Sequence, residues 1–376
     1  MSAPAPDWQA DAAADRVRRA FARLCDAAEP AAGGAALAIW QDGRTVLSLH
    51  AGSAAPDRPW TTTTPCLIWS ASKGIAAACA LHALAARGIP LHAPVADCWP
   101  EFAAAGKGDI TLADLLSHRA GLAAIDQAGL AITDHSGVAA ALAAQPRNWP
   151  ADGSHGYGAR TFGFLVDEVV RRVSGEPLAA YWDRVFRGPL RLDLWFGLPA
   201  DRIDDAAVVI APRTPPPPGP FARAFATRAS LTRRALTEPG GLLAPSLMNT
   251  PALRSAALPS LGAIATADAL ARFYSLLAGG GMFSTATVAT MATSLVSGED
   301  RVLIDPTSFS AGFMTNDHGV YGGCGAAFGH PGAGGAIAFA VPALGIGFAF
   351  VPSAMHPGAL PGPRTRALVA AAFPPA

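Results

Sequence analysis

Hydrophobic positions recur every three to four residues at Phe162, Leu165, Val166, Val169, Val170 and Val173. That spacing predicts an amphipathic helix over residues 161–173, closed by Ser174-Gly175. Leu270, Phe273, Tyr274 and Leu277 repeat the pattern behind a capping Thr266, and Gly279-Gly280-Gly281 ends the run. Val17, Phe21 and Leu24 mark a helix over residues 8–25 with Asp7 as its cap. Thr111 and Asp114 form a capping box for a short helix that Gly121 is expected to stop. Residues 35–40 and 45–50 instead read as strands, and Asp42-Gly43 between them is a hairpin signal. Residues 311–314, 336–340 and 346–351 also read as strands, followed by a closing helix over 364–372. Residues 122–150 read as a long loop with one helix near 138–144, and the proline-rich 211–220 as a stiff crossing segment.

Strands therefore lie at both ends of the chain and helices between them. The pattern predicts an α+β fold in one domain, residues 1–376, with an antiparallel sheet built from both termini. Its α/β lobe takes residues 8–60 and 283–376, and a mainly helical lobe takes 61–282.

Composition changes the picture in three places. The 28 basic and 28 acidic residues balance, which favours neither nucleic acid nor a membrane surface as partner. The start, Met1 to Asp7, lacks the basic and apolar parts of a signal peptide, and no apolar run is long enough to span a bilayer. The five cysteines are scattered, in no metal or redox spacing, and read as buried thiols of a cytoplasmic protein. No metal or cofactor is expected, and the oligomeric state is left open.

The lysines point to chemistry. Of the 28 basic residues only Lys73 and Lys107 are not arginine. Lys73 stands three residues after Ser70 where a helix begins, so the hydroxyl and the amine share one face. A desolvated lysine can lose its proton and act as a base, whereas arginine stays charged. Ser70 and Lys73 thus read as a nucleophile with its base. Lys107 has Ala104 three residues before it and forms no such pair.

Four stretches in register resemble the serine beta-lactamase and penicillin-binding-protein superfamily, especially its cytoplasmic esterase branch, the family VIII carboxylesterases. They are Ser70-Ala71-Ser72-Lys73, the run from Ile110 to Leu122, His155-Gly156-Tyr157 before the Thr161 helix, and Phe328 to Gly335. In this branch His-x-Gly stands where other members have Lys-Thr-Gly. The resemblance implies a beta-lactamase/D,D-peptidase-like fold with Ser70 as nucleophile. It gives the general base and acid work to Lys73 and Tyr157 together, without deciding which takes the first proton. It places the oxyanion hole at the N–H groups of Ser70 and Ala333, and His330 and Gly332 beside the substrate. Trp149, before Pro150, is a candidate wall of the acyl pocket.

Two departures narrow the substrate. Ala159 stands where the family's tyrosine motif often has asparagine, and His330 replaces a carboxylate-binding lysine. Both favour small neutral esters over penicillin-like molecules. The expected activity is therefore that of a carboxylesterase working through an acyl-enzyme on an ester or amide substrate. Acyl transfer or amide hydrolysis on the same machinery is the alternative. Beta-lactamase or D,D-peptidase activity follows, then a non-catalytic binding or assembly protein keeping the fold. Asp114, His118 and His155 read as structural.

Overall fold

The computed structural model describes residues 9–26, 33–279 and 281–375. Asp7, Gly280 and the chain start lie outside them. Nine strands form one antiparallel sheet in the order Arg58–Pro59, Arg44–Ala55, Gly34–Gln41, Ile346–Pro352, Ile337–Val341, Phe328–Pro331, Met314–Thr315, Pro306–Phe309, Val296–Glu299. The N-terminal hairpin pairs directly with the last strand, from Ala35 opposite Pro352 to Gln41 opposite Ile346. Asp42 and Gly43 both take positive φ, 47° and 77°, which matches the turn to the twist of its strands.

Alternation along the strands sorts the two faces. Leu37, Ile39, Ile337, Phe339, Phe348 and Phe350 pack with Val17, Phe21 and Leu368 of the terminal helices, Ala10–Asp26 and Pro363–Ala372. Ala36, Ala38, Ala338, Ala340 and Ala349 face the helical region instead. These small side chains let the helix Ala267–Ala278 lie directly on the sheet. At Gly347 a Cβ would come within 2.0 Å of the Ala271 carbonyl oxygen. Only glycine fits there.

The nucleophile segment crosses from a small sheet into the core. Cys66–Leu67 pairs with Ala263–Ala265, and a 3₁₀ turn over Trp69–Ala71 leads into the helix Ser72–Ala86. Ser70 thus sits one turn ahead of the α-helix. Between Ser72 and Leu84 every residue but His82 is buried, so this helix runs through the core and shows no amphipathic pattern. The helix Thr161–Ser174 lies against it.

Three expectations shift in detail. Residues 311–313 are a turn rather than a strand, because Pro306–Phe309 and Met314–Thr315 pair across them. The capping box at Thr111 is present, but its helix ends at Leu116, before Gly121. Cys66, Cys79 and Cys324 are buried thiols, whereas Cys25 and Cys98 are only half-buried.

Candidate active site

Trp69, just before Ser70, holds φ at 49°, a left-handed conformation that costs a non-glycine residue about 1–3 kcal/mol. Ser72 spends its hydroxyl on this turn, donating to the Trp69 carbonyl and accepting the Ala263 N–H at 3.0 Å. The turn leaves the Ser70 side chain half-buried and within reach of Lys73.

Lys73 is fully buried, and no carboxylate among the described residues pairs with it. Its Nζ lies 2.7 Å from the Ala159 carbonyl, 3.0 Å from the Ser260 carbonyl and 3.4 Å from Ser70 Oγ. Burial holds its pKa well below the ordinary lysine value. A neutral amine has two N–H donors and one lone pair. The two carbonyls take both donors of the neutral form, whose lone pair is then free for the Ser70 hydroxyl 3.4 Å away. Ser260 is itself fixed, accepting the Gly163 N–H at 2.6 Å and donating to the Arg160 carbonyl at 2.8 Å.

Tyr157 is buried, its ring centroid 4.8 Å from Lys73 Nζ, and its hydroxyl is hydrogen-bonded to Ser70. Burial pushes its pKa up and the Asp300 charge adds to that, while the Ser70 bond opposes both. The phenol is therefore held neutral.

Asp300, fully buried, holds the Tyr157 loop. Its Oδ1 accepts the N–H groups of Tyr157, Val302 and Leu303 at 3.1, 2.8 and 3.0 Å. Its Oδ2 accepts the Thr307 hydroxyl at 3.1 Å, and Thr307 in turn lies 2.8 Å from His155 Nε2. His118, also buried, accepts the Gly158 N–H at 3.1 Å on Nδ1, and burial keeps it neutral. Sequence reasoning missed Asp300 and Ser260. Nothing around Asp300 in the chain separates it from a solvated loop carboxylate, and Ser260 acts through a backbone carbonyl that any residue has.

His330 lies on Phe328–Pro331, its ring centroid 5.7 Å from that of Tyr157. Nδ1 lies 2.7 Å from the Pro331 carbonyl, so it carries the proton and Nε2 is left as an acceptor. Nε2 is buried with no protein partner among the described residues. Burial first, and Lys73 second, push the His330 pKa down to about 3. The strand end meets the nucleophile turn at Gly332, where a Cβ would come within 2.2 Å of the Ile68 carbonyl oxygen. Ala333 follows half-buried, and its N–H donates to no protein backbone acceptor among the described residues. Trp149 is buried against Gly156, beside Tyr157, with the Arg301 guanidinium 5.8 Å from its ring. Ala159 supplies no side-chain amide, yet its carbonyl orients Lys73.

Ser70, Lys73 and Tyr157 thus form one hydrogen-bonded group, with His330 beside Tyr157 and Gly332 against the nucleophile turn. Among the described residues no cluster of His, Cys, Asp or Glu could hold a metal ion, and no helix is long and apolar enough to cross a membrane.

The chain is 34% identical over 340 residues to the esterase/beta-lactamase LipL of Mycobacterium tuberculosis, covering 85% of this chain and 76% of that protein. It superposes on a family VIII carboxylesterase with a TM-score of 0.84 at 31% identity, over 99% of this chain and 98% of the other. A penicillin-binding protein homologue from Caulobacter crescentus gives a TM-score of 0.85 at 31% identity and the same coverage. Residues 17–373 match the Beta-lactamase family, and the chain belongs to it.

Proposed function

We propose that the protein is a serine hydrolase that forms an acyl-enzyme on Ser70 and acts as a carboxylesterase on small neutral esters. The observation that carries this reading is the environment of Lys73, an amine buried with no carboxylate partner among the described residues, bonded to two carbonyls and with its pKa pushed well down by burial. Its lone pair takes the Ser70 proton as Oγ attacks the ester carbonyl. The N–H groups of Ser70 and Ala333 receive the developing oxyanion. The alcohol leaves protonated by the Tyr157–Lys73 pair, and water then releases the acid.

His330 sets the substrate class. A buried neutral imidazole brings no positive charge to a substrate carboxylate, so neutral esters fit better than penicillin-like anions. The carboxylesterase and the esterase/beta-lactamase among the relatives support an ester substrate.

Hydrolysis of p-nitrophenyl acetate and butyrate by wild type and Ser70→Ala tests the mechanism. Turnover in the wild type is expected to fall by about 10³-fold or more in the variant. Equal turnover in both would remove Ser70 as nucleophile. Nitrocefin in the same assay is expected to turn over far more slowly than the esters.

A further inference from the structure

A second cleft, of about 910 Å³, lies between the two terminal helices and the segments around Ile210 and Met355. It is lined by Arg16, Arg19 and Arg23 from one stripe of the helix Ala10–Asp26, by Arg213, and by Arg364 from the helix Pro363–Ala372. Arg19 and Arg23 are exposed and make no ion pair among the described residues, where Asp15 on the same helix pairs with Arg18 instead. Arg16 donates from Nε to the Ala371 carbonyl at 2.9 Å, and Arg364 from Nη2 to the Ala354 carbonyl at 2.7 Å. Those bonds orient both guanidiniums without neutralising them.

No acidic residue among the described ones lines the cleft. Like charges three and four residues apart repel on a helix, and among the described residues no acidic side chain pairs with Arg16, Arg19 or Arg23. Between the arginines the floor is apolar, with Ala20, Leu24, Leu368 and Ala371. A charged rim over an apolar floor of this volume has the make-up of a small-molecule site. The chain is neutral as a whole, so the positive field is local to this cleft.

We propose that the cleft binds an anionic amphiphile, with a carboxylate or phosphate head group on the arginines and an apolar tail along the floor. Arginine suits both head groups, because its fork of donors meets two oxygens at once. Two residues that line the cleft meet the loop after His330. Met355 packs on Gly334, and the His356 N–H donates to the Gly334 carbonyl at 2.9 Å.

Calorimetric titration of the full chain with dodecanoate and dodecyl phosphate, each below micelle formation, tests the site, with dodecyltrimethylammonium as the cationic control. Both anions are expected to bind saturably and the cation not at all. The exposed pair Arg19→Glu/Arg23→Glu is expected to weaken anion binding at least about tenfold while ester hydrolysis stays at the wild-type rate. Equal binding by the charge-reversed variant, binding of the cation, or no saturable binding would overturn the proposal. So would parallel loss of hydrolysis and binding, which would place the amphiphile at Ser70. Sedimentation with phosphatidylglycerol vesicles separates the sources. Vesicle binding lost on charge reversal assigns a lipid head group, and binding of monomers alone assigns a free amphiphile.

Discussion

The two lysines show how a single residue type is given opposite roles by its neighbours. Lys107 donates to the carbonyls of Ala104, Ala143 and Gln145, which uses all three N–H groups of an ammonium and ties a loop to the end of a helix. Lys73 has two carbonyls and a hydroxyl, and a hydroxyl, unlike a third carbonyl, can also give its proton to the amine. The Ser-x-x-Lys spacing was legible because it is local. Its carbonyl partners lie 86 and 187 residues away along the chain, so no local pattern could name them. Asp300 belongs to the same class. Asp300→Asn keeps the shape but swaps a charged acceptor for a neutral amide, which weakens its bonds to the three N–H groups and reverses the one to Thr307. A hydrogen bond to a charged group is worth about 1.5–3 kcal/mol, so a stability loss near 2 kcal/mol is expected. Turnover should fall by about 10–100-fold through displacement of Tyr157, checked by thermal unfolding beside p-nitrophenyl butyrate kinetics.

At the scale of elements, local chemistry wrote the helix ends and the hairpin. Thr111, Thr266 and the Asp42-Gly43 turn act within a few residues of themselves, and all three were readable. The helix Ser72–Ala86 shows the limit, since burial on all sides erases the periodicity that reveals a surface helix. Contacts between helices were not readable either. His135, at the start of the helix His135–Ala144, meets Asp167 at 3.0 Å and Glu168 at 3.4 Å on the helix Thr161–Ser174. Burial pulls its pKa down, but the bonds to Asp167 and Glu168 carry it up to about 9. A raised pKa means the folded state favours the charged imidazole. This contribution is complete below about pH 6.5 and is lost as the pH rises through 9. The difference in melting temperature between wild type and His135→Gln is therefore expected to be largest near pH 6 and to shrink by pH 10. A constant difference would mean the ion pair contributes nothing.

On the scale of the whole molecule, the sheet joins the two ends of the chain. Its strands come from residues 34–59 and 296–352, and its alanine face packs against the helical region carrying Ser70 and Tyr157. A fragment spanning residues 61–282 would expose the face of the helix Ala267–Ala278 that now lies on the sheet. It is expected to lack cooperative unfolding and near-ultraviolet dichroism when expressed alone. A cooperative transition in that fragment would show the helical region to be an independent unit. The sequence by itself determined the class of fold, most element positions and the Ser70–Lys73 pair, because these rest on periodicity, capping and spacing over a few residues. Only the tertiary structure decided the burial of Lys73 among carbonyls, the anchoring of Tyr157 by Asp300, the acceptor left on His330 and the gathering of five arginines around one cleft. Each depends on which distant groups are packed together and kept from water, and burial of that kind has no signature along the chain.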